Sequence, residues 1–462
     1  AFAAALGLGA IAYLVFLLGL LHLLYSWLLG IILVVLAVVV RKDISRFWNT
    51  LVTGVSRGLR TTYPYSVLPL AVFLVLIVLP VLFTALGPSG GTEWDGLAYH
   101  LAVPKIYLQP HAIQPLPWMS HSNFPFVMEM LYALGLGLQG QALAKLFHFG
   151  CLILISVAVY SWAKPSFREG TALLSLVVLV SSPLVFWEAT VAYNDLAFAL
   201  FALLSIWAWY LRDSSPESRS WIILSGIFAG LALGVKYLAG ILVIFMIVAI
   251  LWPRRAKEAE GEESGEETRA PGSLAALGLW LLPTILVALP WYLKSFLWTG
   301  NPVYPFFYEV FGGRYWSAAL AEQYSLAQAQ FGMGGSLKAL LALPWNVTIW
   351  GRQFYDQPEP VKFFNIFVAV IGPLFLAFLP AGIYYCRKSI VARYALAFSL
   401  AVTLAWFFLS AQTHRYLLPI FPALALVCIA GWRGAMAVPT ADIVAHFDSL
   451  HALVEGIAAD ER

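Results

Sequence analysis

The stretch that decides the fold is residues 66–100, which read SVLPLAVFLVLIVLPVLFTAL, then GPSGG, then TEWDGLAYH. Residues 66–86 are apolar and uncharged, and their length suits the roughly 20 residues that a transmembrane helix needs. The polar residues that follow contain two carboxylates, Glu93 and Asp95. This stretch therefore predicts a membrane span that leads directly into an acidic loop.

The composition of the whole chain also indicates a membrane protein. Of its 462 residues, 61% are hydrophobic and 11% are charged, and the mean hydropathy is +0.82. Soluble proteins carry about 25% charged residues, so the composition excludes a cytosolic enzyme, a nucleic-acid-binding protein and a disordered scaffold. The net charge of +3 is too small to indicate a polyanionic partner. We predict an all-α polytopic protein embedded in the lipid bilayer.

Further apolar stretches predict about twelve transmembrane helices. They cover residues 3–22, 26–40, 66–86, 142–162, 171–190 and 196–211, two helices within 221–252 that meet at Lys236, and residues 274–296, 363–383, 390–410 and 416–432. Residues 126–140 are shorter and contain a carboxylate, so they predict a non-spanning helix at the membrane edge.

The basic residues predict the orientation, because lysine and arginine accumulate in cytoplasmic loops. This topology places 18 of the 27 basic residues inside and makes 87–141 and 297–361 external loops. The nine exceptions are Lys105, Lys145, Lys236, Lys294, Arg314, Lys338, Arg352, Lys362 and Arg415. We divide the chain into two additional N-terminal helices with a basic cytoplasmic loop (1–65), a membrane core (66–432) and an amphipathic cytoplasmic tail (433–462).

Two acidic motifs are candidates for chemistry on the external side. Glu93 and Asp95, followed by Tyr99 and His100, could deprotonate a hydroxyl or hold a divalent cation; the alternative is a pair of solvated loop acids. Asp195 lies in a short Tyr-Asn-Asp turn between two apolar helices, where ordinary turn chemistry is the alternative. The short turn keeps this carboxylate at membrane depth, where ionisable groups are usually functional.

Two cations and an aromatic turn complete the candidate set. Lys236, next to Tyr237, could bind an anionic headgroup or simply extend towards the membrane surface. Arg415 precedes the last span and could bind a phosphate through two hydrogen bonds. Residues 299–307 (TGNPVYPFF) are first of all a turn between aromatic residues. Five residues are candidates for a substrate pocket: Tyr99, His100, Glu129, Asn301 and Tyr304.

Taken in order, these motifs resemble the GT-C membrane glycosyltransferases, closest to the bacterial protein mannosyltransferase and aminoarabinose transferase type. The resemblance covers roughly residues 66–432. It is carried by the five segments 94–100 (WDGLAYH), 193–196 (YNDL), 230–237 (GLALGVKY), 299–305 (TGNPVYP) and 415–419 (RYLLP).

The resemblance implies a multi-pass enzyme of the bacterial inner or plasma membrane with its site on the external, periplasmic face. The implied donor is a polyprenyl-phosphate-linked sugar, and the implied acceptor is a protein, lipid or glycan. Asp95 matches the family's catalytic base, although Trp94 separates it from Glu93 where the family often has adjacent acids. Asp195 matches the family's second acid.

The expected reaction is a single displacement with inversion at the anomeric carbon. Asp95 takes the proton of the acceptor hydroxyl, while Lys236, Arg415 and Tyr237 bind the donor phosphate. No cofactor is certain; Mg²⁺ or Mn²⁺ is a possibility, held by Asp95 and Asp195.

Three alternatives remain open at this level. A transporter or flippase of lipid-linked glycans explains many spans, although it should place charges near the membrane midplane. A ligase or polymerase of the O-antigen type also uses lipid-linked sugars outside the cell, but it needs two glycan chains. A non-catalytic subunit of a membrane complex is the third.

Overall fold

The computed structural model describes residues 1–46, 48–49, 53, 67–91, 93–214, 218–252, 273–329, 331–350 and 371–436. Every regular element in these ranges is helical, as the sequence predicts. The acidic segment 253–272, most of the basic loop before residue 67 and the tail from residue 437 lie outside the described residues.

Eighteen α-helices are numbered here in chain order. The first nine are α1 (Phe2–Leu20), α2 (Ser26–Val39), α3 (Val67–Leu86), α4 (Ala102–Leu108), α5 (Val127–Leu138), α6 (Gln141–Ala163), α7 (Glu169–Val180), α8 (Pro183–Glu188) and α9 (Asp195–Leu211). The others are α10 (Ser218–Val235), α11 (Gly240–Leu251), α12 (Ser273–Thr299), α13 (Tyr308–Phe311), α14 (Ala318–Ala329), α15 (Leu337–Trp345), α16 (Pro373–Tyr385), α17 (Ile390–Leu409) and α18 (Phe421–Ala435).

Seven helical stretches in the described residues are long and apolar enough to cross a membrane. They are α1, α3 from Leu68, α6, α10, α12, α17, and α18 together with the turn that precedes it from His414. Five other apolar helices are shorter. The expected total of twelve spans is therefore not confirmed. Helix α7, which lies in the predicted span 171–190, has 12 residues and rises only about 18 Å, well below the roughly 30 Å of a bilayer core.

The predicted break at Lys236 is confirmed. Helix α10 ends at Val235, Lys236 adopts an extended conformation (φ −155°, ψ 136°), and a 3₁₀ turn at Tyr237–Ala239 leads into α11. The break exposes the lysine at a helix end rather than in the middle of a continuous span.

The segment predicted as one helix over 171–190 is two helices. Helix α7 ends at Val180 and α8 begins at Pro183, after an extended Ser182 (φ −69°, ψ 120°). Proline suits the first position of a helix, and it forces the residue before it out of the helical region. Pro183 therefore starts a new helix instead of continuing the old one.

The centre of the bundle is formed by α9 and α10. Nearly all of α9 is buried. Gly226, Gly230 and Gly234 lie four residues apart on α10 and pack against neighbouring helices; a Cβ at Gly230 would stand 2.7 Å from the Thr284 carbonyl oxygen of α12. Small residues at this spacing let membrane helices approach closely. This tight contact fixes the position of the α10 end that carries Lys236.

The N-terminal helix α1 packs on the same core. Tyr13 donates a hydrogen bond to the Val287 carbonyl and accepts one from Trp291 Nε1 at 3.0 Å. Phe16 packs against the Trp291 ring at a tilt of 41°, with centroids 4.2 Å apart. Helix α1 is thus joined to α12 by both polar and aromatic contacts.

Candidate active site

Four charged residues from distant parts of the chain meet at one end of the bundle, called here the site end. Asp95 follows α3, Asp195 begins α9, Lys236 follows α10, and Arg415 lies in the 3₁₀ turn His414–Ile420 between α17 and α18. The antiparallel course of these helices brings the four positions together although up to 320 residues separate them.

The four groups form alternating ion pairs. Lys236 Nζ lies 2.6 Å from Asp195 Oδ1, and Arg415 donates a hydrogen bond from Nη2 to Asp95 Oδ2. Arg415 also reaches Asp195, with Nη1 3.9 Å from Oδ2. The Asp195 side chain is fully buried, whereas those of Asp95, Arg415 and Lys236 remain 14%, 17% and 18% exposed. The cluster is therefore accessible at these three side chains and closed at Asp195.

The environment keeps Asp95 ionised. Burial alone would raise the pKa of its carboxyl group, but nearby positive charge, that of Arg415 first and that of Lys236 as well, lowers that pKa to about 2. Asp95 is therefore a carboxylate throughout the physiological range and can accept hydrogen bonds there.

A π-helical turn over Gly96–His100 positions the side chains around Asp95. Such turns are rare and recur at functional sites. Tyr99 donates a hydrogen bond to Asp95 Oδ2 at 3.1 Å, and the Asp95 backbone N–H donates to the Tyr193 hydroxyl at 3.2 Å. Burial, and next the charge of Asp95, raise the pKa of Tyr99 well above its ordinary value. Tyr99 thus stays a hydrogen-bond donor.

Glu129 connects two further parts of the site. His100 Nδ1 lies 2.6 Å from Glu129 Oε1, and Asn194 donates to the same oxygen from Nδ2 at 3.1 Å. Asn194 Nδ2 also contacts the Val235 carbonyl at 3.4 Å. Glu129 is fully buried. Helix α5, which carries it, is thus held to the acidic loop, to the start of α9 and to the end of α10.

Glu93 faces away from this cluster. Its Oε1 lies 3.6 Å from Lys145 Nζ of α6 and accepts a hydrogen bond from the Gly90 backbone N–H at 3.3 Å. Glu93 is buried, as is Lys145. The two acids of the first loop therefore have different partners: Asp95 pairs with Arg415, and Glu93 pairs with a lysine that the sequence analysis left without a role.

The tyrosine and asparagine candidates lie towards the external segment. Tyr237 donates weak hydrogen bonds to the backbone carbonyls of Asn123 (3.5 Å) and Tyr304 (3.4 Å), and its ring meets that of Phe124 edge to face. Asn301 bonds within its own loop: Nδ2 donates to the carbonyls of residues 306 and 312, and Oδ1 accepts from residue 303. Asn301 therefore shapes its loop, while Tyr237 borders the site.

The central part of the chain is similar to a known protein family. Residues 123–260 match the family model described as dolichyl-phosphate-mannose-protein mannosyltransferase. The resemblance to GT-C glycosyltransferases is confirmed. This matched segment contains Glu129, Asp195 and Lys236, whereas Asp95 and Arg415 lie outside it.

The chain is also similar to a bacterial protein and to two solved structures. It is 29% identical over 139 residues to an uncharacterised protein of Shigella flexneri, a match that covers 30% of this chain and 68% of that protein. ArnT from Cupriavidus metallidurans bound to undecaprenyl phosphate has a TM-score of 0.51 at 16% identity, covering 78% of this chain and 59% of that one. The Archaeoglobus fulgidus oligosaccharyltransferase in its apo form has a TM-score of 0.41 at 12% identity, covering 82% and 52%. The likeness to ArnT concerns the GT-C fold alone. This chain spans about three-fifths of the length of ArnT.

The GT-C core contains a buried lysine whose role the sequence analysis did not recognise. Lys294 of α12 donates hydrogen bonds to the carbonyls of Ser122 (2.9 Å) and Phe124 (3.1 Å), and three aromatic rings surround its ammonium group. It therefore holds the 3₁₀ turn Ser120–Asn123 against the membrane helix. Its place among the nine exceptional bases was the signal that could have identified it.

Two further buried groups complete the site. Glu188 of α8 is fully buried, and within the described residues neither carboxylate oxygen has a hydrogen-bond partner. His148 of α6 bonds the Val191 carbonyl at 2.9 Å and accepts a hydrogen bond from the Leu196 backbone N–H at 3.1 Å. His148 thus orders the first turn of α9.

The geometry adds no support to the expected Mg²⁺ or Mn²⁺ ion between Asp95 and Asp195. Each carboxylate is already paired with a cation, and the described part of the chain holds no group of three or more His, Cys, Asp or Glu side chains arranged for a metal. We assign no metal ligands.

Proposed function

We propose that this protein is a membrane glycosyltransferase that transfers a sugar from a polyprenyl-phosphate donor to an acceptor hydroxyl. The observation that carries the proposal is the convergence of Asp95, Asp195, Lys236 and Arg415 at one end of a GT-C fold. One acid of this cluster is accessible beside two cations, which is the arrangement that a base next to a phosphate site requires.

Asp95 serves as the base in this proposal. Its Oδ2 already receives hydrogen bonds from Arg415 and Tyr99, which leaves Oδ1 for the acceptor hydroxyl. Attack by that hydroxyl on the anomeric carbon, from the side opposite the phosphate, inverts the configuration. Glu93 is the weaker candidate because Lys145 neutralises it on the other side of the loop.

Arg415 and Lys236 bind the donor phosphate and stabilise the negative charge that develops on it. A guanidinium group can bind two phosphate oxygens at once, whereas an ammonium group acts as a point charge. Stabilising charge that appears only in the transition state accelerates the reaction. The Tyr416 ring lies beneath both cations, with its centroid 4.1 Å from Lys236 Nζ and 5.4 Å from the Arg415 guanidinium carbon. These cation–π contacts help to hold the two side chains in place.

The external face is the proposed location of the site. Helices α6 and α9 begin at the site end and finish at the opposite end, where Lys164 and Arg212 follow them. Arg433 lies at that opposite end as well and binds the Ser166 carbonyl. Since basic residues accumulate on the cytoplasmic side, this distribution supports a site on the external surface. The relative ArnT, bound to undecaprenyl phosphate, supports a lipid-phosphate donor that reaches the site from the bilayer.

The experiment is a transfer assay with the purified full chain in lipid nanodiscs. Undecaprenyl-phosphate-linked hexoses and pentoses serve as donors, and release of undecaprenyl phosphate is measured with and without envelope extracts as acceptor. Asp95→Asn should lower the rate by at least about 100-fold, the usual contribution of a general base. Glu322→Gln is the matched control, because Glu322 is an exposed carboxylate on α14.

Two results would contradict the proposal. An Asp95→Asn variant with wild-type transfer rates rejects Asp95 as the base. A wild-type chain that moves lipid-linked glycans between leaflets without breaking the glycosidic bond is a flippase and rejects the transferase proposal altogether.

A further inference from the structure

His100 and Glu129 form a buried pair next to the proposed base. The side chains of both residues are 1% exposed, and the 2.6 Å separation of His100 Nδ1 from Glu129 Oε1 is a short, charge-assisted hydrogen bond. Asn194 contacts the same Glu129 oxygen, so the carboxylate cannot rotate freely. The proposed reaction, as described above, assigns no chemical role to this pair.

Asp95 is suited to accept a hydrogen bond but not to retain a proton. A carboxyl group with a pKa of about 2 is protonated only transiently at neutral pH. The net reaction nevertheless releases one proton, because a phosphate diester with one negative charge becomes a phosphate monoester with two. Asp95 therefore passes this proton on, and a neighbouring base would take it before it reaches water.

The surroundings of His100 suit it to accept the proton from Asp95. Because Glu129 accepts from Nδ1, the hydrogen of a neutral ring resides there, and Nε2 is the nitrogen that accepts a proton. A carboxylate behind a histidine fixes the tautomer and stabilises the imidazolium that forms. The ring lies between those of Tyr99 (centroids 4.1 Å apart) and Tyr193 (5.6 Å), both of which contact Asp95.

We propose that His100, oriented by Glu129, is the residue on which the acceptor's proton comes to rest during sugar transfer. This inference rests on the proposed function. The acceptor O–H bond breaks as the new C–O bond to the anomeric carbon forms, and the electron pair of the broken C–O bond leaves with the lipid phosphate. The proton passes through Asp95 Oδ1 to His100 Nε2, and the imidazolium paired with Glu129 later returns it to water.

The charged and titratable neighbours of His100 come from five segments. Asp95 and Tyr99 belong to its own turn, Glu129 to α5, His148 to α6, Tyr193 to the turn before α9, and His121 to the turn Ser120–Asn123. Burial lowers the pKa of His121, so the His121 ring is neutral at pH 7. It therefore forms no ion pair with the carboxylates of the site.

The test is the pH dependence of undecaprenyl phosphate release, measured between pH 5 and 9 with the undecaprenyl-phosphate-sugar that reacts fastest. The wild-type kcat should fall on the acid side with a one-proton limb. His100→Asn should lower kcat at pH 7 by about 100-fold and abolish this limb, with little change in KM for the donor. Glu129→Gln should lower kcat as well, because the imidazolium loses the carboxylate that orients and stabilises it. His111→Asn is the matched control; His111 contacts Tyr25 and the Leu24 carbonyl, away from the site.

Each outcome is decisive. A wild-type profile that is flat from pH 5 to 9 overturns the inference without any variant, so a His100→Asn chain that does not fold leaves the test intact. A folded His100→Asn variant that binds undecaprenyl phosphate and keeps the acid limb overturns it as well. A wild-type chain that releases no undecaprenyl phosphate from any donor rejects the proposed function, and this inference with it.

Discussion

Replacing Asp95 by asparagine should tighten the binding of undecaprenyl phosphate even though it slows transfer by at least about 100-fold. Arg415 donates a hydrogen bond to Asp95 Oδ2, so an incoming phosphate has to compete with this carboxylate for the guanidinium group. An asparagine keeps the size of the side chain and removes its negative charge. The variant therefore presents Arg415 to the phosphate without a competing anion.

The magnitude follows from the electrostatics of Asp95. The pKa of its carboxyl group falls from an ordinary 3.8 to about 2, so the surrounding cations, after the opposing effect of burial, favour the carboxylate by roughly 2 kcal/mol. A phosphate placed between Arg415 and Lys236 disrupts only part of this attraction. We expect binding about tenfold tighter, which is about 1.4 kcal/mol.

The assay is a titration of purified protein in nanodiscs with undecaprenyl phosphate, followed by native mass spectrometry. Wild type, Asp95→Asn and the exposed-carboxylate control Glu322→Gln are compared at one ionic strength, because salt screens these charges. Arg415→Gln provides the opposite control and should bind weakly. Equal or weaker binding by Asp95→Asn, with the Arg415→Gln loss intact, refutes competition between the carboxylate and the phosphate.

Three other predictions concern the structural support of the site. Lys294→Met leaves the two backbone carbonyls that it binds without a donor and should destabilise the protein by about 1–3 kcal/mol, seen as a lower melting temperature in a thermal-shift assay; Lys294→Arg should restore part of the loss. Gly230→Ala should destabilise the protein strongly, because the added Cβ would approach the α12 backbone to 2.7 Å. Gly278→Ala on α12 is the matched control. Open space surrounds Gly278, so this variant should have an unchanged or higher melting temperature in the same assay. Lys236→Gln removes the nearer counter-ion of the buried Asp195, leaving only Arg415 at 3.9 Å, and should cost about 3 kcal/mol. A melting temperature that stays unchanged would contradict a stabilising role for the Lys236–Asp195 pair.

The number of transmembrane spans is the feature of the fold that could not be predicted from the sequence. Hydropathy located the helices closely, including the break at Lys236, because apolar runs and isolated charges are local features. It could not separate a helix that faces lipid from one buried inside the protein, since both are apolar on all sides. Helix α9, with 17 residues, was predicted as a span on this ground, and the division of 171–190 by Pro183 was overlooked.

The residues of the candidate site could be identified from the sequence because charged residues are rare in this chain. In a chain with 11% charged residues, each charge near the membrane is costly and therefore informative. Asp95, Asp195, Lys236 and Arg415 were selected in this way, and the structure brings all four together. Lys294 and the pair formed by His100 and Glu129 were harder to interpret, because a single buried polar residue shows its role only when its partner is known.

The sequence by itself determined that this is a helical membrane protein and which charged residues cluster at one end, because burial in a bilayer restricts composition residue by residue. Only the tertiary structure decided which cation pairs with which carboxylate. Lys236 joins Asp195 across 41 positions, and Arg415 joins Asp95 across 320. The physical reason is that an ion pair depends on distances of a few ångströms, and helix packing sets those distances between residues that are remote in the chain.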